Sequence, residues 1–380
     1  MQIAQSLQHM QPSYIREILA AASRPGVISL AGGLPDPEQF PIQLMAPALQ
    51  ALSSQSDLFQ YANTAGYTPL LDYLSNQFHL PQSHSALVST GSQQGLDLIA
   101  RAFIDPGDHM VLEAPSYLGA LQVFGLAQAK IHSVRQNRDG PDLEQLRALF
   151  AQHKIKLFYA VPDFHNPTGV CWSLHTRQKV AELCQYYNVG LIEDIPYREL
   201  RFSGEPLPLV SSLCPDQSLV LRSFSKIATP GIRLGWVSGK RQWIESLIKI
   251  KQAADLHSSV PMQAVLLALL QHQDFQPHLS QTRILYKNRY QCLRDQLLLT
   301  LPNEYHAKPV VGGMFLWLQI PHCDVDNIAQ AALDNGVAVV PSSVFYQDQT
   351  TTCALRLNFT HANETQLVQA TQRLVEILIA

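Results

Sequence analysis

The sequence predicts an α/β protein: a large domain with a mostly parallel sheet covered by helices, plus a smaller α+β domain. Three observations carry that expectation. Short apolar runs alternate with amphipathic stretches through the middle of the chain, long helices replace the alternation from about Trp243, and strand-like segments return near the end.

Taken in order, the chain opens with a short helix-like stretch, SYIREIL (13–19), followed by VISLAGGLPDP (27–37). SQQGLDLIARAFI (92–104), PDLEQLRALFAQH (141–153) and SLHTRQKVAELCQYYN (173–188) repeat apolar residues at three- and four-residue spacing, the pattern of a helix with one buried face. HMVLEAP (109–115), IKLFYAVP (155–162), VGLIEDIP (189–196) and SLVLRSF (218–224) are short, continuous, mostly apolar segments closed by turn residues, and read as buried strands. Beyond them, SQTRILYKNRYQCLRDQLLLTL (280–301) predicts a long helix, and GGMFLWLQ (312–319) and ALRLNFT (354–360) predict strands of the smaller domain. The expected division is a large domain over 45–280, and a small one over 1–44 and 281–380 in which the N-terminal segment packs with the C-terminal part.

Composition narrows the function. The chain has 380 residues, enough for two or three domains at roughly 150 residues each. Its 27 basic and 30 acidic side chains leave a net charge of −3 with no long run of either sign, so nothing favours nucleic acid or an anionic membrane as partner. No apolar run approaches the roughly 20 residues of a membrane span, and the N-terminus, MQIAQSLQHMQPSY, lacks the basic and apolar regions of a secretory signal. Cys171, Cys184, Cys214, Cys292, Cys323 and Cys353 form no C-x-x-C pair and read as reduced thiols of a cytoplasmic protein. The 14 histidines show no H-E-x-x-H and no clustered spacing, so no metal is expected.

In open α/β sheets, ligands sit beyond the carboxyl ends of the strands, which directs attention to four segments. RSFSKIATPGIRLGW (222–236) places Lys226 beside Ser223 and Ser225, with Arg233 after a Pro-Gly turn. Alone, such a lysine is a solvated surface charge; with two hydroxyls and an arginine nearby it reads as an amine nucleophile beside an anion cradle. Asp194 follows the apolar Leu191 and Ile192, so its carboxylate belongs at the floor of a cleft or in a structural salt bridge. STGSQQG (89–95) offers free amides at a helix N-terminus, suited to phosphate, and DFHNPTG (163–169) follows another strand. An amine, an anion cradle and a deep carboxylate are what pyridoxal 5'-phosphate requires.

Motifs in order along nearly the whole chain now give a resemblance: VISLAGGLPDPEQFP, FQYANTAGYTPLLDYL, TGSQQGLDL, EAPSYLGAL, HNPTG, EDIPY, SFSKIATPGIRLGW, GGMFLW and LRLNF. The chain resembles class I/II aminotransferases, pyridoxal-phosphate (PLP)-dependent transferases of fold type I, and within them the 2-aminoadipate and kynurenine aminotransferase group. The resemblance implies that Lys226 bonds the cofactor and that Asp194 keeps its pyridine nitrogen protonated. It implies that Asn166 and Tyr197 hydrogen-bond its phenolic oxygen and that Tyr117 stacks over its ring. Ser92, Gln93, Ser223, Ser225 and Arg233 would hold the phosphate, with Tyr61 reaching it from the neighbouring subunit of a homodimer. Arg356, with the backbone near Gly33 and Asn166, would grip the substrate α-carboxylate, and Arg16 would meet an acidic substrate side chain. The implied reaction is ping-pong transfer of an amino group from an L-amino acid to a 2-oxo acid. One departure is His165, where related sequences often carry glutamine, which puts the ring contacts in question.

Three rival readings stand beside it. Another PLP reaction on the same fold (a β-lyase, racemase or decarboxylase) would share Lys226 and Asp194. Ser223-x-x-Lys226 matches the S-x-x-K pattern of serine acyl enzymes, but their S-D-N and K-T-G elements are missing. A non-catalytic PLP-binding sensor would need a DNA-reading module, and family similarity already starts near residue 13.

Overall fold

The computed structural model describes residues 1–7, 18, 20–22, 24–321, 324–348 and 352–379. At its centre lies a sheet built from His84–Ser89 (β1), His109–Ala114 (β2), Lys130–Asn137 (β3), Ile155–Ala160 (β4), Gly190–Asp194 (β5), Ser218–Ser223 (β6) and Gly235–Lys240 (β7). Across the sheet the order is β1-β7-β6-β5-β4-β2-β3, and the short strand Gly140–Pro141 completes the β3 edge. Strands β3, β2, β4, β5 and β6 run parallel. Only β7 opposes both of its neighbours.

The continuous apolar runs follow from burial on both faces. In β4, Leu157 and Tyr159 pack with Leu96, Ile99 and Leu247 on one side, while Phe158 and Ala160 pack with Phe150 and Val180 on the other. Helices Ser92–Phe103 (α1), Leu143–Gln152 (α2) and Leu174–Tyr187 (α3) supply those layers. Helix α3 starts where the Ser173 hydroxyl accepts the Thr176 amide and stops at Asn188 in the left-handed region. Each large side chain buried this way contributes about 1.5–3 kcal/mol, so the sheet and its two helical layers form a rigid platform.

The chain beyond Trp243 turns helical as predicted, with Phe275–Thr300 (α4) the longest helix. Strands Phe315–Gln319 (β8) and Ala354–Asn358 (β9) pair antiparallel and are flanked by His306–Ala307 and Val340–Pro341. Tyr286, Leu293, Leu316, Leu357 and Leu374 form the core under them. The N-terminal segment joins this core: Ile28–Ser29 pairs in parallel with Val337–Ala338, and the Leu30 carbonyl accepts the Asn358 amide at 2.7 Å. The pairing lays Ala31–Gly33 across the carboxyl ends of the large sheet, where the Gly33 carbonyl accepts a hydrogen bond from Lys226 Nζ at 2.7 Å.

Candidate active site

The parallel strands end in one pocket, and the predicted residues meet there. Strand β5 delivers Asp194 at its last position; the turn after β6 delivers Ser225 and Lys226; β9 delivers Arg356; and the loop after β4 delivers Asn166. Tyr117, Tyr197, Ser92, Gln93, Ser223, Arg233 and Gly33 complete the same wall.

The floor is the Asp194 carboxylate. Its Oδ2 accepts the Tyr159 hydroxyl at 2.8 Å, and its Oδ1 is buried without any hydrogen-bond partner. Burial pushes its pKa up to about 7, the Tyr159 hydrogen bond offsetting only part of that rise. A buried carboxylate oxygen left unpaired is costly, so this one is built to receive a donor or a cation. Above it, burial first, then the Arg356 and Arg233 charges, bring the Lys226 amine down to about 8. At neutral pH a usable share of that amine is therefore uncharged and nucleophilic.

One end of the pocket is shaped for a phosphate. Gly91 precedes α1 with φ +78°, and a Cβ there would stand 2.8 Å from an Arg233 guanidinium nitrogen, so the arginine and the helix N-terminus converge on one point. Gly235 lies equally close to the first helical residue, its would-be Cβ 2.8 Å from the Ser92 amide nitrogen. Free amides at the helix start, the Ser223 and Ser225 hydroxyls and a cation together make an anion cup. Tyr117 stands alongside, its hydroxyl donating to Gln93 Oε1 at 3.0 Å. Burial, then the Asp194 charge, raises its pKa to about 12, so it stays a neutral phenol.

The other end is shaped for a carboxylate. Arg356 is 1% exposed, yet its guanidinium holds no ion pair among the described residues: one nitrogen donates to Asn166 Oδ1 at 2.8 Å, another to the Ala31 carbonyl, and Nε has no partner. The Phe315 and Phe345 rings lie 4.5 and 5.0 Å from the guanidinium carbon and help hold it in place. Asn166 also donates to the Tyr197 hydroxyl at 3.3 Å, which ties this end to the centre. A buried cation without a counter-ion is costly, so this one is suited to receive an anionic ligand.

Other sequence-derived candidates fall elsewhere. Tyr61 stands outside the pocket, 79% exposed, edge-on to His257. Arg16 lies outside the described residues. His165 does not face the pocket; it is buried behind Asn166, with Nδ1 at 3.2 Å from the Thr168 hydroxyl and Nε2 at 3.7 Å from Glu113 Oε2. The histidines are not all dispersed as their spacing predicts, since His109, His132 and His153 gather at the amino ends of β2 and β3. Tyr159, which orients Asp194, was not singled out from the sequence, and its only signal there is a hydroxyl inside an otherwise apolar strand.

Fold and pocket together define a class: an α/β protein whose parallel strands end in a pocket that gathers a buried lysine of lowered pKa, an unpaired carboxylate oxygen and two arginines, as enzymes acting on small anionic ligands do. The family model described as aminotransferase class I and II matches residues 25–374. An aromatic-amino-acid aminotransferase of Thermococcus litoralis is 33% identical, covering 97% of this chain and 92% of that one. A 2-aminoadipate transaminase of Thermus thermophilus is 32% identical over 96% and 93% of the two chains. An α-aminoadipate aminotransferase of Thermus thermophilus, solved with N-(5'-phosphopyridoxyl)-L-leucine, superposes with a TM-score of 0.93 at 31% identity, covering 99% of this chain and 97% of that one. The chain belongs to the class I and II aminotransferase family and is an amino-group-transferring enzyme of the fold type I α/β architecture.

Proposed function

We propose that the pocket binds pyridoxal 5'-phosphate and uses it to move the amino group of an L-amino acid to a 2-oxo acid. The observation that carries the reading is Asp194 Oδ1, a buried carboxylate oxygen without a partner, in the same pocket as a lysine of lowered pKa. The residues fit the cofactor at three points. Asp194 Oδ1 would receive the ring N–H; Ser92, Gln93, Ser223, Ser225 and Arg233 would hold the phosphate; Lys226 would bond the aldehyde carbon. Bound there, pyridoxal phosphate supplies a carbonyl for the substrate amine and a ring that accepts an electron pair from the substrate Cα.

The chain's own residues supply the rest. Arg356 would grip the α-carboxylate through the guanidinium N–H groups that Asn166 and Ala31 leave free, which would set the orientation of the Cα–H bond. Lys226 Nζ would take the Cα proton as general base, and its lowered pKa keeps it competent near neutrality. Asp194 stays ionised when a ring N–H meets Oδ1, because that donor offsets the burial that otherwise raises its pKa. Asn166 and Tyr197 would hold the phenolic oxygen of the cofactor, and Tyr117 would pack against it.

We read the substrate as an amino acid with a long or aromatic side chain, which the relatives named for aromatic amino acids and 2-aminoadipate support. A homodimer sharing its sites is supported by Phe59 and Tyr61, both exposed and outside the chain's own pocket. Residues 45–280 act as the cofactor-binding domain, covered by 1–44 with 281–380, a division supported by the pairing of Ile28–Ser29 with Val337–Ala338. Free thiols at Cys171, Cys184, Cys214 and Cys292 support a reducing, cytoplasmic setting, and no described helix is long and apolar enough to cross a membrane. The test is Lys226→Ala: transfer between amino acid and 2-oxo acid falls to background while the circular dichroism spectrum is unchanged. A variant retaining wild-type turnover contradicts the assignment.

A further inference from the structure

We infer that His109, His132 and His153 form a metal site that takes a divalent late first-row ion, zinc foremost, at the amino ends of β2 and β3, away from the carboxyl ends that form the cofactor pocket. Topology brings the three together. His109 opens β2, and the β2–β3 register sets His132 opposite Val111, so period-two alternation puts His109 and His132 on one face. That face packs against α2, whose last turn ends at His153.

The geometry is that of converging nitrogen donors. One ring nitrogen of each histidine lies within 4.8 Å of the others, and His109 Nδ1 stands 2.9 Å from His132 Nε2. Ring centroids are separated by 5.0, 5.3 and 4.2 Å. A tetrahedral zinc bonded at about 2.0–2.1 Å spaces its ligand nitrogens about 3.3 Å apart, so small side-chain rotations close the set around an ion. All three residues are half-buried, which leaves a path for the ion and a fourth position for water.

The electrostatics agree. The 2.9 Å contact between His109 Nδ1 and His132 Nε2 is a hydrogen bond whose proton an incoming ion displaces, freeing both nitrogens to bond it. The adjacent Asp108 carboxylate is engaged by Lys156 Nζ at 2.5 Å and does not compete as a counter-ion. Neutral imidazoles without a carboxylate favour zinc, copper or nickel over magnesium or calcium. An ion here would tie β2, β3 and the end of α2 together.

The experiment is isothermal titration of the holoenzyme with zinc chloride in a non-chelating buffer. The expected result is one site per chain of about micromolar affinity or tighter. His132→Gln and His153→Gln each weaken it by about tenfold or more, with the metal-free thermal midpoint and the amino-transfer rate unchanged. Absence of saturable binding up to about 1 mM zinc overturns the inference. So does a site whose affinity survives the triple substitution His109→Gln, His132→Gln, His153→Gln, because the ion is then held elsewhere.

Discussion

Replacing Glu113 with glutamine should change how stability depends on pH, and the structure sets the size of the effect. Glu113 is the penultimate residue of β2 and is 2% exposed. Its Oε1 accepts from Gln136 Nε2 at 2.9 Å and Trp172 Nε1 at 3.2 Å, while Oε2 faces His165 Nε2 at 3.7 Å. Burial raises the carboxyl to about 8, and burial lowers the imidazole to about 3. The folded pair thus holds one proton from about pH 3 to about pH 8. In the unfolded chain the carboxyl titrates near 4.5 and the imidazole near 6.5, so one proton remains between those values and none above. Glu113, with its raised pKa, adds stability that is lost as pH climbs toward 8; His165, with its depressed pKa, adds stability that is lost as pH falls below 6.5. Together they leave a plateau between 4.5 and 6.5, followed by a decline from 6.5 to 8. Across about 1.5 pH units at about 1.4 kcal/mol each, that decline is about 2 kcal/mol.

Glutamine keeps the shape and both accepted hydrogen bonds but carries no titrating proton. Glu113→Gln should therefore show no such decline above pH 6.5 and should instead lose stability below it, where His165 alone remains. Urea unfolding of wild type and variant, compared at about pH 6 and pH 8.5, reads the difference directly, since other titrating groups are common to both. If the two proteins lose the same stability over that interval, Glu113 does not carry the proton and the reasoning fails.

Two further substitutions probe the two ends of the pocket. Arg356→Gln removes about two charged hydrogen bonds of about 1.5–3 kcal/mol each, so kcat/KM should drop by about a hundredfold or more for every amino acid tested; a loss confined to one class of side chain would assign the arginine to side-chain recognition instead. Gly91→Ala places a methyl 2.8 Å from Arg233 and strains a residue at φ +78°; the expected cost is about 1–3 kcal/mol, read as faster loss of the phosphorylated cofactor on dialysis, and unaltered retention would show that this turn is not part of the anion cup.

Much of this site was legible because its chemistry sits where apolar strands stop. Strands β2, β4, β5 and β6 are buried on both faces, so their sequences are short runs dominated by apolar residues, with Asp194 closing β5 and Asn166 and Lys226 in the loops after β4 and β6. Strand β3 escaped notice because KIHSVRQN lies near the sheet edge with only Val134 fully buried. Strands β1 and β7 were missed as well; β7 runs GWVSGK, with two glycines and a serine diluting its apolar signal. The role of His165 was hidden because a buried polar pair such as Glu113 and His165 is made by tertiary packing between distant segments. The three clustered histidines were invisible for the same reason: the β2–β3 register and the docking of α2, not their spacing in sequence, bring them together.

The most direct test of the central claim is the visible absorbance of the purified protein supplied with pyridoxal phosphate, recorded before and after adding single amino acids without any 2-oxo acid. A visible band that depends on Lys226 and bleaches with aromatic amino acids or 2-aminoadipate, then returns when a 2-oxo acid is added, is the result predicted. A protein that never acquires the band, or whose band no amino acid bleaches, contradicts the assignment of Lys226, Asp194 and Arg356 to amino-group transfer.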